Sequence, residues 1–280
     1  MTLVACAELL RDAGAAGRAL AAFNVITLEH AQAVAAGADA AGAPAVLQVS
    51  QNAVAHHGGR LAPLAAALTA LAREARAPLA LHLDHVTSEA LLRAAPAAGF
   101  GSVMFDASAL PYAENVRATA AAVRFGHRHG LLVEAELGRI GGKPGDAHTP
   151  GVRTDPAEAA GFVGDTGVDA LAVAVGSSHA MTERTAALDH GLIARLRTAV
   201  GVPLVLHGSS GVPDGELRRG VAAGLTKINV GTALNAALTR AVRAHLAADP
   251  DGVDPRRYLA AGRTAMTATV VRFLRALATG

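Results

Sequence analysis

Eight short apolar runs recur along the chain, each followed by a longer stretch whose hydrophobic residues fall at helical spacing. The runs are "LAAFNV" (20–25), "AVLQVS" (45–50), "LALHLD" (79–84), "GSVMFD" (101–106), "LLVEAE" (131–136), "ALAVAV" (170–175), "PLVLH" (203–207) and "LTKINV" (225–230). Between them lie stretches such as "LEHAQAVAAGADAAG", "LAPLAAALTALAREA" and "DPAEAAGFVGDTG", several opened by Thr, Ser or Asp in a capping position. Short apolar runs bounded by turn residues read as buried strands, and the longer periodic stretches as helices. Eight units of strand then helix predict an α/β chain folded as a (β/α)8 TIM barrel, for which about 250 residues is usual. A sandwich would show strands without intervening helices. A doubly wound sheet usually carries a Gly-rich turn after its first strand, and "AFNVITLE" contains no glycine. Residues 1–280 are therefore read as a single barrel domain, with "GRTAMTATVVRFLRALA" as an extra C-terminal helix.

Hydrophobic residues make up 51% of the chain and aromatics 3%, so the core is aliphatic and rich in alanine. No window reaches the roughly eighteen consecutive apolar residues that a membrane span needs. The opening "MTLVACAELLRDAGAAG" has Glu8 and Arg11 where a signal peptide would carry an uninterrupted apolar run. A formal charge of +2, with arginines scattered along helical stretches, gives no basic patch for nucleic acid. Cys6 is the only cysteine, which excludes an intrachain disulfide and a thiolate zinc cluster. A cytoplasmic protein with neither a membrane nor a nucleic-acid partner is expected.

Polar residues concentrate at the C-terminal ends of the strand candidates. Asn24, Ser50, Asp84 with His85, Asp106, Glu136, His207 and Asn229 all sit there, and His179 follows the sixth run within a "GSS" turn. Any one of them reads equally well as a cap or turn residue. Together they lie where barrel enzymes build their sites, because side chains from neighbouring strand ends converge over a packed core. A lone histidine in this setting is usually a hydrogen-bonded structural residue. His85, His179 and His207 come from three separate strands of one rim, and three protein ligands with an open position is the pattern of a catalytic zinc site.

Two small-residue turns, "HGSSG" (207–211) and "NVGT" (229–232), directly follow the seventh and eighth strands. Barrels commonly bind phosphate there, where backbone N–H groups and hydroxyls can surround an anion. The long Gly- and Pro-rich "GRIGGKPGDAHTPG" (138–151) reads either as a disordered surface loop or as a mobile lid over the rim.

In order and context, "HLDH", "MFDAS", "VEAELGRIGG", "AVGSSH", "LVLHGSSG" and "KINVGTALN" resemble the class II, metal-dependent aldolases, the family of fructose-1,6-bisphosphate and tagatose-1,6-bisphosphate aldolases. The resemblance runs from "AFNV" to "DPRRYL", nearly the whole chain. It implies that His85, His179 and His207 hold a catalytic zinc ion and that Asp84 shuttles the proton of the substrate's C4 hydroxyl. Asp106 and Glu136 match carboxylates that bind a second divalent ion in some members, and a monovalent cation is a further candidate. Ala180, Gly208, Ser209, Ser210, Asn229, Val230, Gly231 and Thr232 fall in the dihydroxyacetone phosphate site, and Ser50 matches a contact to the aldehyde half. Arg256 matches an arginine that reaches a neighbouring subunit's substrate phosphate, which implies a homodimer or homotetramer. The implied reaction is reversible zinc-dependent cleavage of fructose 1,6-bisphosphate into dihydroxyacetone phosphate and glyceraldehyde 3-phosphate. Tagatose 1,6-bisphosphate or another phosphorylated ketose is the alternative substrate.

Three positions depart from the family pattern. The acidic residue usually found two places after the lid's glycine pair is replaced by Pro144, beside Lys143, which leaves Asp146 as the nearest acid and the candidate base for the C3 proton. Ala180 stands where many relatives have glycine, and "AMTERTAALD" lacks a lysine, which makes Arg184 a candidate for the phosphate. Two other mechanisms remain open on the residues alone. Lys227 near a strand end could form a Schiff base, or the three histidines could activate water for hydrolysis. His82 shares a strand face with Asp84 and either orients it or serves as a hydrogen-bonded interior residue.

Overall fold

The protein is described by a computed structural model over residues 2–137 and 152–278. Eight parallel strands close into a barrel in chain order, each paired with its neighbours and the last with the first. They are β1 (Leu20–Asn24), β2 (Ala45–Ser50), β3 (Leu79–Val86), β4 (Ser102–Phe105), β5 (Leu132–Leu137), β6 (Ala170–Val173), β7 (Leu204–Leu206) and β8 (Leu225–Val230). All eight predicted runs are strands, with ends shifted by one or two residues. The predicted TIM barrel is the fold observed.

The connecting helices are α2 (Leu28–Ala41), α3 (Gln51–His56), α4 (Leu61–Glu74), α5 (Glu89–Ala94), α6 (Tyr112–Arg128), α7 (Pro156–Thr166), α8 (His190–Val200), α9 (Asp214–Ala223) and α10 (Thr232–Ala248). They form the outer layer that the alternation of runs requires. The α7 helix shows the local logic. Asp155 Oδ1 accepts from the N–H groups of Ala157 and Glu158, Pro156 occupies the first turn, and Gly167 ends the helix in a left-handed conformation.

Alternation along each strand divides the apolar residues into two clusters. Leu79, Leu81 and Leu83 of β3 and Ala45, Leu47 and Val49 of β2 face the helices. Ala22, Val46, Ala80, Met104, Ala170, Ala172 and Val205 face the barrel axis. A preceding helix, α1 (Cys6–Ala15), lays Cys6, Leu9 and Leu10 against that inner cluster and closes the barrel at its N-terminal end. The C-terminal helix is longer than its apolar pattern suggests. It runs as α11 (Pro255–Ala278), starting at a proline suited to a first helical position, and buries Met266, Val270 and Phe273 against the outer layer. Among the described residues, no helix is long and apolar enough to cross a membrane.

Candidate active site

Strict alternation would turn His85 outward, on the face of Leu81 and Leu83. The β3–β4 register shows why it does not. Leu83 pairs with Val103 and Val86 with Phe105, so β3 carries one extra residue against β4. That bulge places His85 at φ 49° and brings two successive side chains, Asp84 and His85, to the same rim cavity. A non-glycine residue in the left-handed region costs on the order of 1 kcal/mol, and such strain gathers at functional sites. The strand therefore delivers both groups at once.

One nitrogen each of His85, His179 and His207 and one carboxylate oxygen of Glu136 all lie within 4.8 Å of one another. The outer nitrogens of two rings are held by carboxylates. His85 Nδ1 is 2.9 Å from Asp106 Oδ2, and His207 Nε2 is 3.0 Å from Glu134 Oε1. An ionised carboxylate only accepts, so each ring places its proton there and turns a lone pair the other way. Those two inner nitrogens, His85 Nε2 and His207 Nδ1, are 3.0 Å apart. Two lone pairs converging at that separation suit a shared cation, since nitrogen ligands sit about 2.0–2.1 Å from zinc. The donor set of three imidazoles and one carboxylate fits such an ion. Asp106 stands behind His85 rather than within this group.

The loop carrying His179 is fixed from both sides. Ser177 Oγ donates to His207 O at 2.6 Å. Gly208 has φ 69°, and a Cβ there would meet Ser178 O at 2.4 Å, so neither its backbone conformation nor its packing admits a side chain. Ala180 also adopts a left-handed conformation, at φ 58°. Left-handed alanine costs about 1–2 kcal/mol, against roughly 0.4–1 kcal/mol of unfolded-chain entropy that glycine would add. Ala180→Gly should therefore stabilise the fold, by up to about 1 kcal/mol. An unchanged or lower urea midpoint at constant slope would count against that assignment of strain.

The rim cavity has a volume of about 230 Å³. Of the residues singled out in the sequence, Ser50, Asp84, His85, His179, Ala180, His207, Gly208, Ser210, Asn229, Gly231 and Thr232 line it. The two small-residue turns meet on its wall. Ser210 Oγ accepts from Ala233 N at 3.0 Å, tying the turn after β7 to the start of α10, whose N-terminal end favours an anion through the helix dipole. Ser209 lies beneath, with its hydroxyl on Asn229 O, and Val230 packs in the apolar layer under the helices. Arg256 is exposed, paired with Asp254, and does not line the cavity of its own chain. Asp146, Lys143 and Pro144 lie outside the described residues. Arg184 does not line this cavity: its guanidinium donates to Val212 O and Asp214 Oδ1 and covers the Phe273 ring, and it lines a neighbouring cavity together with Ser210 and Thr232.

Four polar residues escaped the sequence reading. Asn235 and Gln48 line the cavity, and Glu134 pairs with Lys227 inside the barrel. His30 Nε2 lies 3.1 Å from Asn235 Oδ1. The signal for Glu134 was present, since "VEAE" puts Glu134 and Glu136 on one strand face. A larger apolar groove of about 620 Å³ lies around α3, α4 and α5, without any of the clustered histidines. It has the surface to hold an apolar group but none of the groups for this chemistry.

Asp84 Oδ2 lies 3.8 Å from His85 Nε2, and its Oδ1 lies 3.9 Å from His82 Nε2. Burial first, and the Lys227 ammonium second, push His82 well below the usual imidazole value. His82 is thus neutral in the folded protein, with Nδ1 2.8 Å from Ser102 Oγ. An unfolded histidine titrates near 6.5. The stability gained by keeping His82 neutral is complete above about pH 6.5 and is lost as pH falls toward its lower folded value. His82→Asn should therefore lose less stability than the unsubstituted protein between roughly pH 6.5 and 5.5, by up to about 1 kcal/mol. Urea melts at both pH values check this, and equal losses would remove His82 from the account.

Comparison with known proteins agrees with this geometry. The sequence profile of the family described as "Fructose-bisphosphate aldolase class-II" matches residues 4–279. The fructose-bisphosphate aldolase of Geobacillus stearothermophilus is 40% identical over 278 residues, covering 98% of this chain and 96% of that protein. The crystal structure of the YdjI aldolase from Escherichia coli K12 superposes with a TM-score of 0.84 at 31% identity, covering 98% of this chain and 97% of that one. The fructose-bisphosphate aldolase of Campylobacter jejuni has a TM-score of 0.82 at 22% identity, covering 99% of this chain and 97% of that one, and shares the fold. A closed barrel, a histidine cluster on its C-terminal rim and a profile match over nearly the whole length lead to one conclusion: the chain belongs to the class II fructose-bisphosphate aldolases, carbon–carbon lyases that act on phosphorylated sugars.

Proposed function

We propose that the protein catalyses the reversible, zinc-dependent cleavage of fructose 1,6-bisphosphate into dihydroxyacetone phosphate and glyceraldehyde 3-phosphate. The observation that carries this reading is that the three histidines and Asp84 line the same cavity as Gly208, Ser210, Gly231 and Thr232 of the two small-residue turns. A hydrolase would need the cation but not the paired anion turns. A Schiff-base enzyme would need a lysine facing substrate, and Lys227 is buried with its Nζ on Glu134 and Gln48.

His85, His179 and His207 would hold the zinc ion, with Glu136 the fourth donor in reach. When bound, the ion supplies a Lewis acid for the negative charge that C–C cleavage leaves on the ketone half. The protein's own groups do the rest. Backbone N–H groups and the hydroxyls of Ser210 and Thr232 hold the phosphate of the dihydroxyacetone half. Asp84 takes the C4 hydroxyl proton as the C3–C4 bond breaks, and returns it to the aldehyde oxygen in condensation. Asp146 is assigned the proton at C3. Asp106 and Glu136 are candidates for a second divalent ion, and a monovalent cation is a further candidate cofactor.

Arg256, exposed and outside the lining of its own cavity, is assigned to the substrate phosphate of a neighbouring subunit in a homodimer or homotetramer. The whole chain acts as one domain in the cytoplasm. Support for fructose over tagatose bisphosphate comes from the 40% identity to an enzyme named for the fructose substrate. Steady-state kinetics on zinc-loaded protein tests it. kcat/KM should favour fructose 1,6-bisphosphate by at least about tenfold, roughly 1.4 kcal/mol in transition-state binding. A preference for the tagatose epimer would overturn the substrate assignment while leaving the reaction type.

A further inference from the structure

Below the rim, the alanine-rich barrel interior contains a fully buried ion pair. Lys227 Nζ on β8 donates to Glu134 Oε2 on β5 at 2.8 Å and to Gln48 Oε1 on β2 at 3.2 Å. Lys227 is 1% exposed and Glu134 0%. Burying such a pair stabilises a fold no better than two apolar side chains of similar volume would. Its presence calls for a role other than stability.

The polarity of the contacts supplies that role. An ammonium has three donors and no acceptor. Gln48 must therefore turn its oxygen toward Lys227, which sends its Nε2 to Asn24 Oδ1 at 2.9 Å. With its oxygen engaged, Asn24 is left to present its amide N–H groups at the cavity wall, which both residues help to form. On the other arm, the second oxygen of Glu134 faces His207 Nε2 at 3.0 Å. The Asn229 amide group also lies 3.0 Å from Nε2, but only a proton on Nε2 satisfies the Glu134 carboxylate, which leaves Nδ1 as the nitrogen aimed at His85.

We propose that Lys227 is a positioning residue that sets both orientations at once: donor outward at Asn24, toward a substrate oxygen, and acceptor inward at His207, toward the cation. This rests on the reading of His207 as a cation ligand in an aldolase site. The amino group itself touches neither substrate nor ion, so its influence passes entirely through Gln48 and Glu134.

Two variants separate the arms. E134Q/K227M removes both charges and leaves neither one stranded, so it should fold, as far-UV circular dichroism and a cooperative melt would record. Its zinc affinity, measured by chelator competition without substrate, should fall about 10–100-fold, the usual effect of losing a carboxylate behind a ligating histidine. Q48L should keep its zinc affinity and raise KM for fructose 1,6-bisphosphate roughly two- to tenfold, the worth of one misoriented hydrogen bond. Unchanged zinc affinity in E134Q/K227M, or unchanged KM in Q48L, overturns the proposal. His207→Ala serves as the reference. If it binds zinc as tightly as the unsubstituted protein, the ligand reading itself falls, whatever the other variants do.

Discussion

Asparagine in place of Asp84 should lower kcat by about 10²–10⁴-fold, the range that a positioned acid/base group supplies, while zinc affinity changes little. Asp84 lines the rim cavity and is almost fully buried. It is nonetheless outside the group of four donors that converge on one point. Its carboxylate lies 3.8 Å from His85 Nε2, near the cation position without belonging to it. The amide has the same shape and can still donate and accept, so packing against His82 survives. What it loses is the capacity to take a proton. The expected loss corresponds to roughly 3–5 kcal/mol of transition-state stabilisation. Stopped-flow and steady-state assays on zinc-loaded D84N would measure it, with dye competition reporting the metal. A variant with normal kcat would remove Asp84 from the proton path. A variant with normal kcat only at excess zinc would make it a ligand instead.

Exhaustive chelation should reduce turnover at least about 10³-fold, the equivalent of the several kcal/mol that Lewis-acid stabilisation provides. Zinc should restore the unsubstituted protein and fail to restore His179→Ala. The second half is the sharper test, because His179 is supplied by a loop and the other two histidines by strand ends. His85 is braced by Asp106 and His207 by Glu134. Two braced ligands without the third would hold the ion weakly and in the wrong geometry. Full activity after demetallation would refute the cation reading. Full recovery of His179→Ala with stoichiometric zinc would remove that residue from the ligand set and leave Glu136 in its place.

The barrel was legible because its strands are short, apolar and evenly interrupted, and each of the eight predicted runs is a strand. The rim was legible for a related reason: an aliphatic strand that ends in His, Asp, Glu or Asn has no packing use for those groups. Geometry that depends on partners from distant strands is not legible in the same way. Lys227 lies near a strand end in the sequence, and its depth is decided by Glu134 across the barrel. The pairing of Arg184 with Asp214 and the Val212 carbonyl is likewise made through the fold. The contact of Asp106 with His85 depends on a bulge in the neighbouring strand that no periodicity reveals.

That bulge has a mechanical consequence. Because Asp84 and His85 are successive residues on one paired strand, a single peptide unit sets the span between the groups proposed as proton carrier and cation ligand. Their separation is therefore fixed by covalent backbone geometry, whereas the distance from either of them to His179 depends on the packing of a loop from another strand.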